Sequence, residues 1–131
     1  MKQEECTHRI IGCAMKAHSA LGSGFQEVIY QRALAIEFGN RGLSYKREMT
    51  MDIFYGSIKI GTRRVDFFVE NEIMVELKAV SQINDAHLAQ AINYLEAYKL
   101  PVGLLINFGS RSLTFKRVYN TKHIDNLNYR K

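Results

Sequence analysis

Apolar and polar side chains recur at intervals of three and four over the first 40 residues, the period of helices that bury one face. From about Glu5 to Leu21 the apolar positions are Cys6, Ile10, Cys13, Ala14, Ala17 and Leu21. The glycines of "GSG" (22–24) break this pattern, and the helical pattern that follows runs until Gly39 and Gly42. The chain is therefore predicted to open with two helices.

Between Ser44 and Leu77 the apolar period changes to two, as in strands that bury one face. One side of the first strand carries Tyr45, Arg47, Met49, Met51, Ile53 and Tyr55. The tripeptides "YGS" (55–57) and "ENE" (70–72) are rich in turn-forming residues. This segment predicts a meander of about three or four strands.

The stretch "NDAHLAQAINYLEAYKL" (84–100) returns to the helical period, with an apolar stripe of Leu88, Ile92, Leu95 and Tyr98. Asn84 or Asp85 is placed to cap this helix, and Pro101 ends it. "VGLLINF" (102–108) is typical of a strand buried on both faces, and "SLTFKRVY" (112–119) alternates like an edge strand. The predicted order is α-α-β-β-β-α-β-β, which indicates an α/β or α+β domain.

The length of 131 residues and a hydrophobic content of 47%, without repeats or linker-like segments, suit one domain spanning residues 1–131. Lys and Arg outnumber Asp and Glu by 18 to 13, and the net charge of +5 favours a polyanionic partner. No apolar run approaches the roughly 20 residues of a membrane-spanning helix, and the N-terminus lacks a signal peptide's apolar stretch. We therefore expect a cytoplasmic protein with no membrane partner.

Two smaller features leave alternatives open. Cys6 and Cys13 lie outside any spacing typical of zinc or iron–sulfur ligands, which predicts free thiols in the core or at the surface. The basic tail "TKHIDNLNYRK" (121–131) is compatible with a short helix, a frayed end or an arm that binds nucleic acid.

Charged residues interrupt the apolar strands of "RRVDFFVENEIMVELKAV" (63–80), where a packed sheet tolerates them least. In the strand pattern, Asp66, Glu76 and Lys78 are expected to converge on one sheet face. Two half-buried carboxylates repel each other and lose hydration, and a divalent cation would compensate both costs. Mg²⁺ prefers such oxygen ligands and can bridge to a phosphate, while Lys78 could position a water molecule or stabilise developing charge. The pattern indicates phosphodiester hydrolysis.

Two other interpretations of the same charges stay open. In one, the domain binds nucleic acid without cutting it, although clustered acids do not suit a surface that faces a polyanion. In the other, the domain is an interaction module in which Lys78 neutralises Asp66 or Glu76 in an internal salt-bridge network.

The spacing of Asp66 and the triplet Glu76-Leu77-Lys78 resembles the bipartite signature of the PD-(D/E)xK nuclease superfamily. "GFQEVIY" (24–30) resembles the Gly-x-x-Glu-x-x-Tyr motif of the GxxExxY family within this superfamily, through Gly24, Glu27 and Tyr30. The blocks "GTRRVDFFV", "VELKAV", "HLAQAINYL" and "GLLINFG" also resemble that family in order, so the resemblance covers roughly residues 8 to 119. Val65 stands where the superfamily's name has proline.

The resemblance implies a restriction-endonuclease-like fold, in which helices flank a mixed central sheet of about four to five strands. It also implies a nuclease that depends on Mg²⁺ or Mn²⁺, takes nucleic acid as its substrate, with DNA favoured over RNA, and pairs as a homodimer. The metal ligands it implies are Asp66, Glu76, Glu27 and the backbone carbonyl of Leu77. Lys78 would be the catalytic lysine.

Further residues are expected to support this site. Gln90 and Tyr94 resemble a Gln-x-x-x-Tyr motif found in the superfamily and share a helix face, so Gln90 is predicted to bond the lysine or a phosphate. Tyr30 is expected to pack against the sheet or bond a site carboxylate, and Arg63 and Arg64 to contact phosphates. His87, nearby on the helix, is interpreted as structural or solvated rather than catalytic.

Overall fold

A computed structural model describes residues 2–120 of the chain, and these residues form the elements in the predicted order. The elements are α1 (Gln3–Leu21), α2 (Glu27–Asn40), β1 (Tyr45–Tyr55), β2 (Ile58–Val69), β3 (Ile73–Lys78), α3 (Asp85–Tyr98), β4 (Val102–Asn107) and β5 (Thr114–Tyr119). The predicted helices, the three-strand meander and the two final strands are confirmed. The tail at 121–131, with its three interpretations, lies outside the described residues. Within 2–120, no helix has the length and hydropathy needed to cross a bilayer.

The strands form one mixed sheet in the order β1-β2-β3-β4-β5. The pairs β1/β2, β2/β3 and β4/β5 are antiparallel, whereas β3 and β4 are parallel. A parallel pair needs a crossover connection, and α3 provides it. The α+β class predicted from the sequence is therefore confirmed.

Helices cover both faces of the sheet. α1 and α2 pack against each other and against β3, while α3 packs against β1, β4 and β5. On β3, Ile73, Val75 and Leu77 enter the core beneath α1 and α2, and Met74 enters the core beneath α3. Every residue of β4 is buried, as its continuous apolar run predicted, because a helix lies on each side.

The two cysteines belong to the core beneath α1 and α2. Both Cys6 and Cys13 are free thiols with no exposed surface. The sequence left open whether these thiols lie in the core or at the surface, and the structure shows them in the core.

Local capping and turn chemistry explains where the elements near the site begin and end. Asn84 caps α3: its Oδ1 accepts the His87 N–H at 2.9 Å, and His87 Nδ1 accepts the Asn84 N–H at 3.2 Å. α3 ends before Pro101 because Lys99 adopts a left-handed conformation. Glu70 and Asn71, both at positive φ, make the tight turn between β2 and β3.

Strand β2 changes face at Asp66. Val65 packs beneath α3, whereas Phe67 packs beneath α1 and α2, although residues two apart in a regular strand share a face. On the neighbouring strand β1, Glu48 lies between Arg47 and Met49, whose partners Phe67 and Val65 flank Asp66, and it has a φ of 55°. Both strands of the hairpin therefore bend at the same level.

This bend separates β2 from β3. The ladder between the two strands contains the pairs Phe67↔Val75, Phe68↔Met74 and Val69↔Ile73, and it does not extend to Asp66. We call the point at Asp66 where β2 leaves β3 the fork. The part of the β1–β2 hairpin beyond the fork leans on α3, where Tyr98 donates its hydroxyl to the Met51 carbonyl at 3.3 Å.

Candidate functional site

Asp66 is anchored at the fork by two hydrogen bonds. Its Oδ2 accepts the backbone N–H of Leu77 at 2.8 Å, and its Oδ1 accepts Nε2 of Gln31 at 2.8 Å. These donors come from β3 and α2 respectively, so they fix the carboxylate between the sheet and that helix. Burial raises the pKa of Asp66, and the two hydrogen bonds oppose that increase.

Glu76 is the most deeply buried carboxylate of the site, with 4% of the residue exposed. Its Oε2 accepts Nη2 of Arg63 at 3.2 Å, while its buried Oε1 has no hydrogen-bond partner within residues 2–120. Burial, and secondarily the negative charge of Asp66, raises the pKa of Glu76 to about 7. A buried oxygen without a donor is costly, which marks Oε1 as a position where a ligand would be favourable.

Arg63 joins Glu76 to helix α3. Its Nε donates to the Tyr94 hydroxyl at 2.7 Å, and its guanidinium lies 5.0 Å from the centroid of the Tyr94 ring. Tyr94 therefore reaches Glu76 through Arg63. Arg63 itself, expected at the phosphate backbone, forms an ion pair with Glu76 in this structure.

Glu27 and Lys78 lie within the electrostatic field of these acids. Glu27 is an exposed residue in the first turn of α2, yet the packing around its carboxyl group raises its pKa, and Asp66 raises it further. The charges of Lys78 and Arg63 oppose this increase. Asp66 and Glu76 likewise respond to Lys78. The predicted acids and lysine therefore come together.

The acids do not meet on one sheet face, as the strand pattern predicted. Asp66 bonds to Gln31 of α2, whereas Glu76 shares the opposite side with Arg63 and Tyr94. The bend at the fork causes this difference, because it turns β2 over at Asp66. The two carboxylates meet where the strands separate.

The donor chemistry of the site fits a divalent cation. Within residues 2–120, no three His, Cys, Asp or Glu side chains already form a metal-binding group. Mg²⁺, however, needs only one or two carboxylates, because water fills its remaining positions. Oε1 of Glu76 is free to bind a ligand, and a cation bound there would lower the pKa values that burial raises at Glu27, Asp66 and Glu76.

Three predicted residues lie apart from the carboxylates. Gln90 is exposed, and its side chain forms no hydrogen bond within the described part of the chain. Arg64 is also exposed and precedes Val65 on the strand. Tyr30 is fully buried and contacts no site acid: its hydroxyl donates to the Gly22 carbonyl and accepts the Phe25 N–H at 3.1 Å.

Tyr30 therefore supports the loop that leads into α2. Its ring also stacks on Phe108 with the centroids 4.7 Å apart, which joins α2 to the end of β4. Tyr30 was predicted either to pack against the sheet or to bond a site carboxylate, and the structure shows packing.

Gln31, which the sequence did not identify as a site residue, is 4% exposed and holds Asp66. Its Oε1, like that of Glu76, is buried without a partner in the described residues. Its spacing could have identified Gln31 from the sequence, because Gln31 follows Glu27 by four residues and shares its helix face. His87, interpreted as structural, does cap α3, and its charge also lowers the pKa of Glu27.

A mixed sheet flanked by helices, with two acids on adjacent strands and a lysine two residues after the second, defines a class of nuclease-like α+β domains. The family model of the PD-(D/E)XK nuclease superfamily matches residues 4–118, and the chain belongs to this superfamily.

Structural comparison supports the same fold. The crystal structure of SSO0001 superposes with a TM-score of 0.56 and 18% sequence identity, covering 80% of this chain. The matched part is 59% of the SSO0001 chain, so this chain spans less than two thirds of that protein's length. The fold is restriction-endonuclease-like, as the sequence resemblance implied. No curated protein sequence matches the chain.

Proposed function

We propose that this protein is a nuclease that hydrolyses phosphodiester bonds of nucleic acids with the help of Mg²⁺ or Mn²⁺. The observation that carries the proposal is the buried, unpartnered Oε1 of Glu76 beside Asp66 and within the field of Lys78. Membership of a nuclease superfamily supports it. A buried acid pair of this kind costs stability unless it serves a bound cation.

Asp66, Glu76 and Glu27 would hold the metal, together with the backbone carbonyl of Leu77. When bound, the metal would polarise the phosphoryl group and lower the pKa of a bound water molecule. Gln31 keeps the Asp66 carboxylate in a fixed orientation. Such supporting contacts tune the affinity of a metal site and fix its geometry.

Lys78 would act on the reacting groups. Its amine carries a positive charge close to the acids, where it can orient the attacking water and stabilise negative charge that develops on the phosphate. Gln90 would bond the lysine or a phosphate oxygen once nucleic acid covers its exposed side chain. Arg63 and Arg64 would contact the phosphate backbone, and Tyr94 would position Arg63.

Several finer assignments complete the proposal. We assign the chain to the GxxExxY family because Gly24, Glu27 and Tyr30 match its motif. We favour DNA as the substrate and a homodimer that presents two sites to the two strands of a duplex. We also propose that the chain acts as a single domain in the cytoplasm, which suits its two unpaired thiols.

The test is calorimetric titration of Mg²⁺ and Mn²⁺ into the wild type and Asp66→Ala, with cleavage followed on single-stranded, duplex and branched DNA and RNA. We expect metal binding and cleavage in the wild type and a loss of both in the variant. Asp52→Ala, in an exposed ion pair on β1, is the matched control and should retain both. Absence of metal binding even with nucleic acid present would contradict the proposal.

One observation favours a second candidate, a domain that binds nucleic acid or another protein without catalysis. Glu76 already has a positive partner in Arg63, whereas Lys78 forms no ion pair within residues 2–120. An internal salt bridge therefore exists, with a different cation from the one that the sequence suggested. Under this alternative, the Arg63–Glu76 pair is permanent and added Mg²⁺ changes neither stability nor nucleic-acid binding.

A further inference from the structure

Arg63 occupies the carboxylate that the proposed metal needs. Its Nη2 lies 3.2 Å from Oε2 of Glu76, which is the shortest of the ion pairs between residues 2 and 120. Arg63 contacts Oε2, and the other oxygen, Oε1, is free, so a divalent cation bound there would lie a few ångström from the guanidinium. At such a distance the two positive charges repel each other, which favours movement of the Arg63 side chain away from Glu76 once the metal is bound.

The burial of the two partners decides which side chain can move. The side chain of Glu76 is 5% exposed, whereas that of Arg63 is 33% exposed. Of the two partners, Arg63 is therefore the one that can turn into solvent, at the cost of its contacts with Tyr94, while Glu76 is confined by β3 and its surroundings. Arg63 also lies on the part of β2 beyond the fork, where β3 no longer pairs with it.

Without metal, the arginine has a definite role. A buried carboxylate that loses its cationic partner strongly destabilises a protein, because its charge is left uncompensated. Arg63 supplies that charge, and the Tyr94 hydroxyl and ring hold its guanidinium in place. Once a metal neutralises Glu76, the guanidinium has lost its partner and is available to an external anion.

We propose that Arg63 exchanges partners, pairing with Glu76 in the metal-free protein and with a nucleic-acid phosphate once the metal is bound. This inference rests on the proposed function and adds to it a specific coupling. Metal binding releases a phosphate-binding arginine, and a phosphate that captures Arg63 opens Glu76 to metal. Each ligand therefore raises the affinity for the other by the same factor, as thermodynamic linkage requires.

The first measurement is the affinity for Mn²⁺ alone, by calorimetry, in the wild type, Arg63→Met and Arg63→Lys. We expect Arg63→Met to bind Mn²⁺ about tenfold more tightly than the wild type, because the competing charge is gone. Arg63→Lys retains a charge without the fixed contact to Tyr94, so its Mn²⁺ affinity should lie between those of the wild type and Arg63→Met. Arg47→Met, at an exposed arginine of β1, is the matched control and should bind Mn²⁺ like the wild type.

The second measurement is binding of a fluorescent duplex of about 20 base pairs at several salt concentrations, with Ca²⁺ or with EDTA. Ca²⁺ takes oxygen ligands with less demanding geometry than Mg²⁺ and serves as the probe cation. In the wild type, Ca²⁺ should tighten binding about tenfold and steepen the salt dependence by about one phosphate contact. In Arg63→Met, Ca²⁺ should tighten duplex binding and steepen its salt dependence only as far as the added positive charge of the bound cation does by itself.

Arg63→Met leaves Glu76 without its partner and can unfold in EDTA. Refolding of that variant on addition of Mn²⁺ would support the exchange, since the metal then replaces the guanidinium. If Mn²⁺ does not restore the fold of Arg63→Met, the test of the exchange is the Mn²⁺ affinity of Arg63→Lys compared with that of the wild type. Equal or weaker Mn²⁺ binding in the folded Arg63 variant, with normal binding in the wild type, would overturn the exchange while leaving the proposed function intact.

Absence of Mn²⁺ binding in the wild type and in every variant would overturn both the proposed function and the exchange. Binding by Arg63→Met but not by the wild type would support the exchange in its strongest form. The same cleavage assays then report separately on the nuclease proposal, because neither titration depends on turnover.

Discussion

The carboxylate of Asp66 accepts the backbone N–H of Leu77 at 2.8 Å, at the point where the ladder between β2 and β3 stops. A side chain thus provides the hydrogen bond that a strand backbone would otherwise supply. The residue proposed to bind metal also maintains the fork that opens the site. Substitutions at Asp66 therefore change both the structure and the chemistry, and the choice of replacement separates the two.

Asp66→Asn should leave the free energy of unfolding in EDTA unchanged or raise it by about 1 kcal/mol. The substitution removes the charge that repels Glu76 and Glu27, and the amide can still accept from Leu77. Gln31 can turn its amide so that its unpartnered Oε1 accepts from the new Asn nitrogen. Urea unfolding in EDTA measures the change.

Asp66→Ala should instead lower the free energy of unfolding by about 1–3 kcal/mol, because the donors of Leu77 and Gln31 lose their acceptor. Asp52→Asn, at an exposed ion pair of β1, should stay within about 0.5 kcal/mol of the wild type. If Asp66→Asn were as destabilising as Asp66→Ala, the ionised carboxylate itself would be required by the metal-free fold.

The stability of the metal-free protein should fall as pH rises, on account of Glu76. Its pKa is raised from an ordinary value of 4.5 to about 7, so the unfolded chain ionises at lower pH than the folded one. The stabilising contribution is fully present below about pH 4.5 and is lost as pH rises through 7, with a maximum on the order of 3 kcal/mol.

Urea unfolding in EDTA at a series of pH values, for the wild type and Glu76→Gln, measures this contribution. The variant carries an uncharged group at the buried position and should show the smaller decrease in stability between about pH 5 and 8. Histidine titrations are common to both proteins and cancel in the difference. Parallel curves would mean that Arg63 keeps Glu76 ionised throughout the range.

Gln31 should tune the affinity for metal without contacting it. In Gln31→Ala, Asp66 loses one of the two donors that fix its orientation, and we expect Mn²⁺ affinity to fall about tenfold. Gln82→Ala, on the exposed loop before α3, is the control and should have no effect. Calorimetry with Mn²⁺ measures the difference, and an unchanged affinity in Gln31→Ala would show that Leu77 alone suffices to hold Asp66.

The sequence predicted helices and strands correctly where the spacing of apolar residues reflects which side of the element is buried. Helices α1 and α3 carry an apolar stripe at the helical period, and β4 is a continuous apolar run because helices cover both its faces. Glycine, asparagine and proline predicted where elements begin or end, because their effects on turns and helix caps are local. These signals depend on nearby residues alone, so a single sequence is enough to predict them.

The bend at Asp66 could not be predicted in the same way. A period of two places Val65 and Phe67 on one face, yet they enter different cores. The bend is held by a bond from Gln31, 35 residues earlier in the chain, and by the Leu77 amide on the next strand. The partner of Glu76 was missed for the same reason, because Arg63 is a cross-strand neighbour and no local pattern identified it.

Lys78 should be needed for cleavage and dispensable for metal binding. Removing one group that stabilises charge in the transition state costs about 100- to 1,000-fold in rate, and we expect this loss in Lys78→Ala. Mn²⁺ affinity should be unchanged or slightly tighter, since a positive charge near Glu27, Asp66 and Glu76 is removed.

Single-turnover cleavage and calorimetry on the same preparations separate these effects. Lys116→Ala, at an exposed lysine of β5, is the control and should cleave at nearly the wild-type rate. Loss of metal binding together with cleavage in Lys78→Ala would assign the lysine a structural role in the site.

The two cysteines should report on opening of the core beneath α1 and α2. Cys6 and Cys13 have no exposed surface, and burial raises the pKa of the Cys6 thiol to about 11. At about pH 8 this shift alone reduces the reactive thiolate about 100-fold, so neither thiol should react with a disulfide-exchange reagent until α1 separates from the sheet. Ser19→Cys, at an exposed position of the same helix, should react at once. Rapid reaction of a native thiol in the wild type would show that α1 opens independently of the remaining fold.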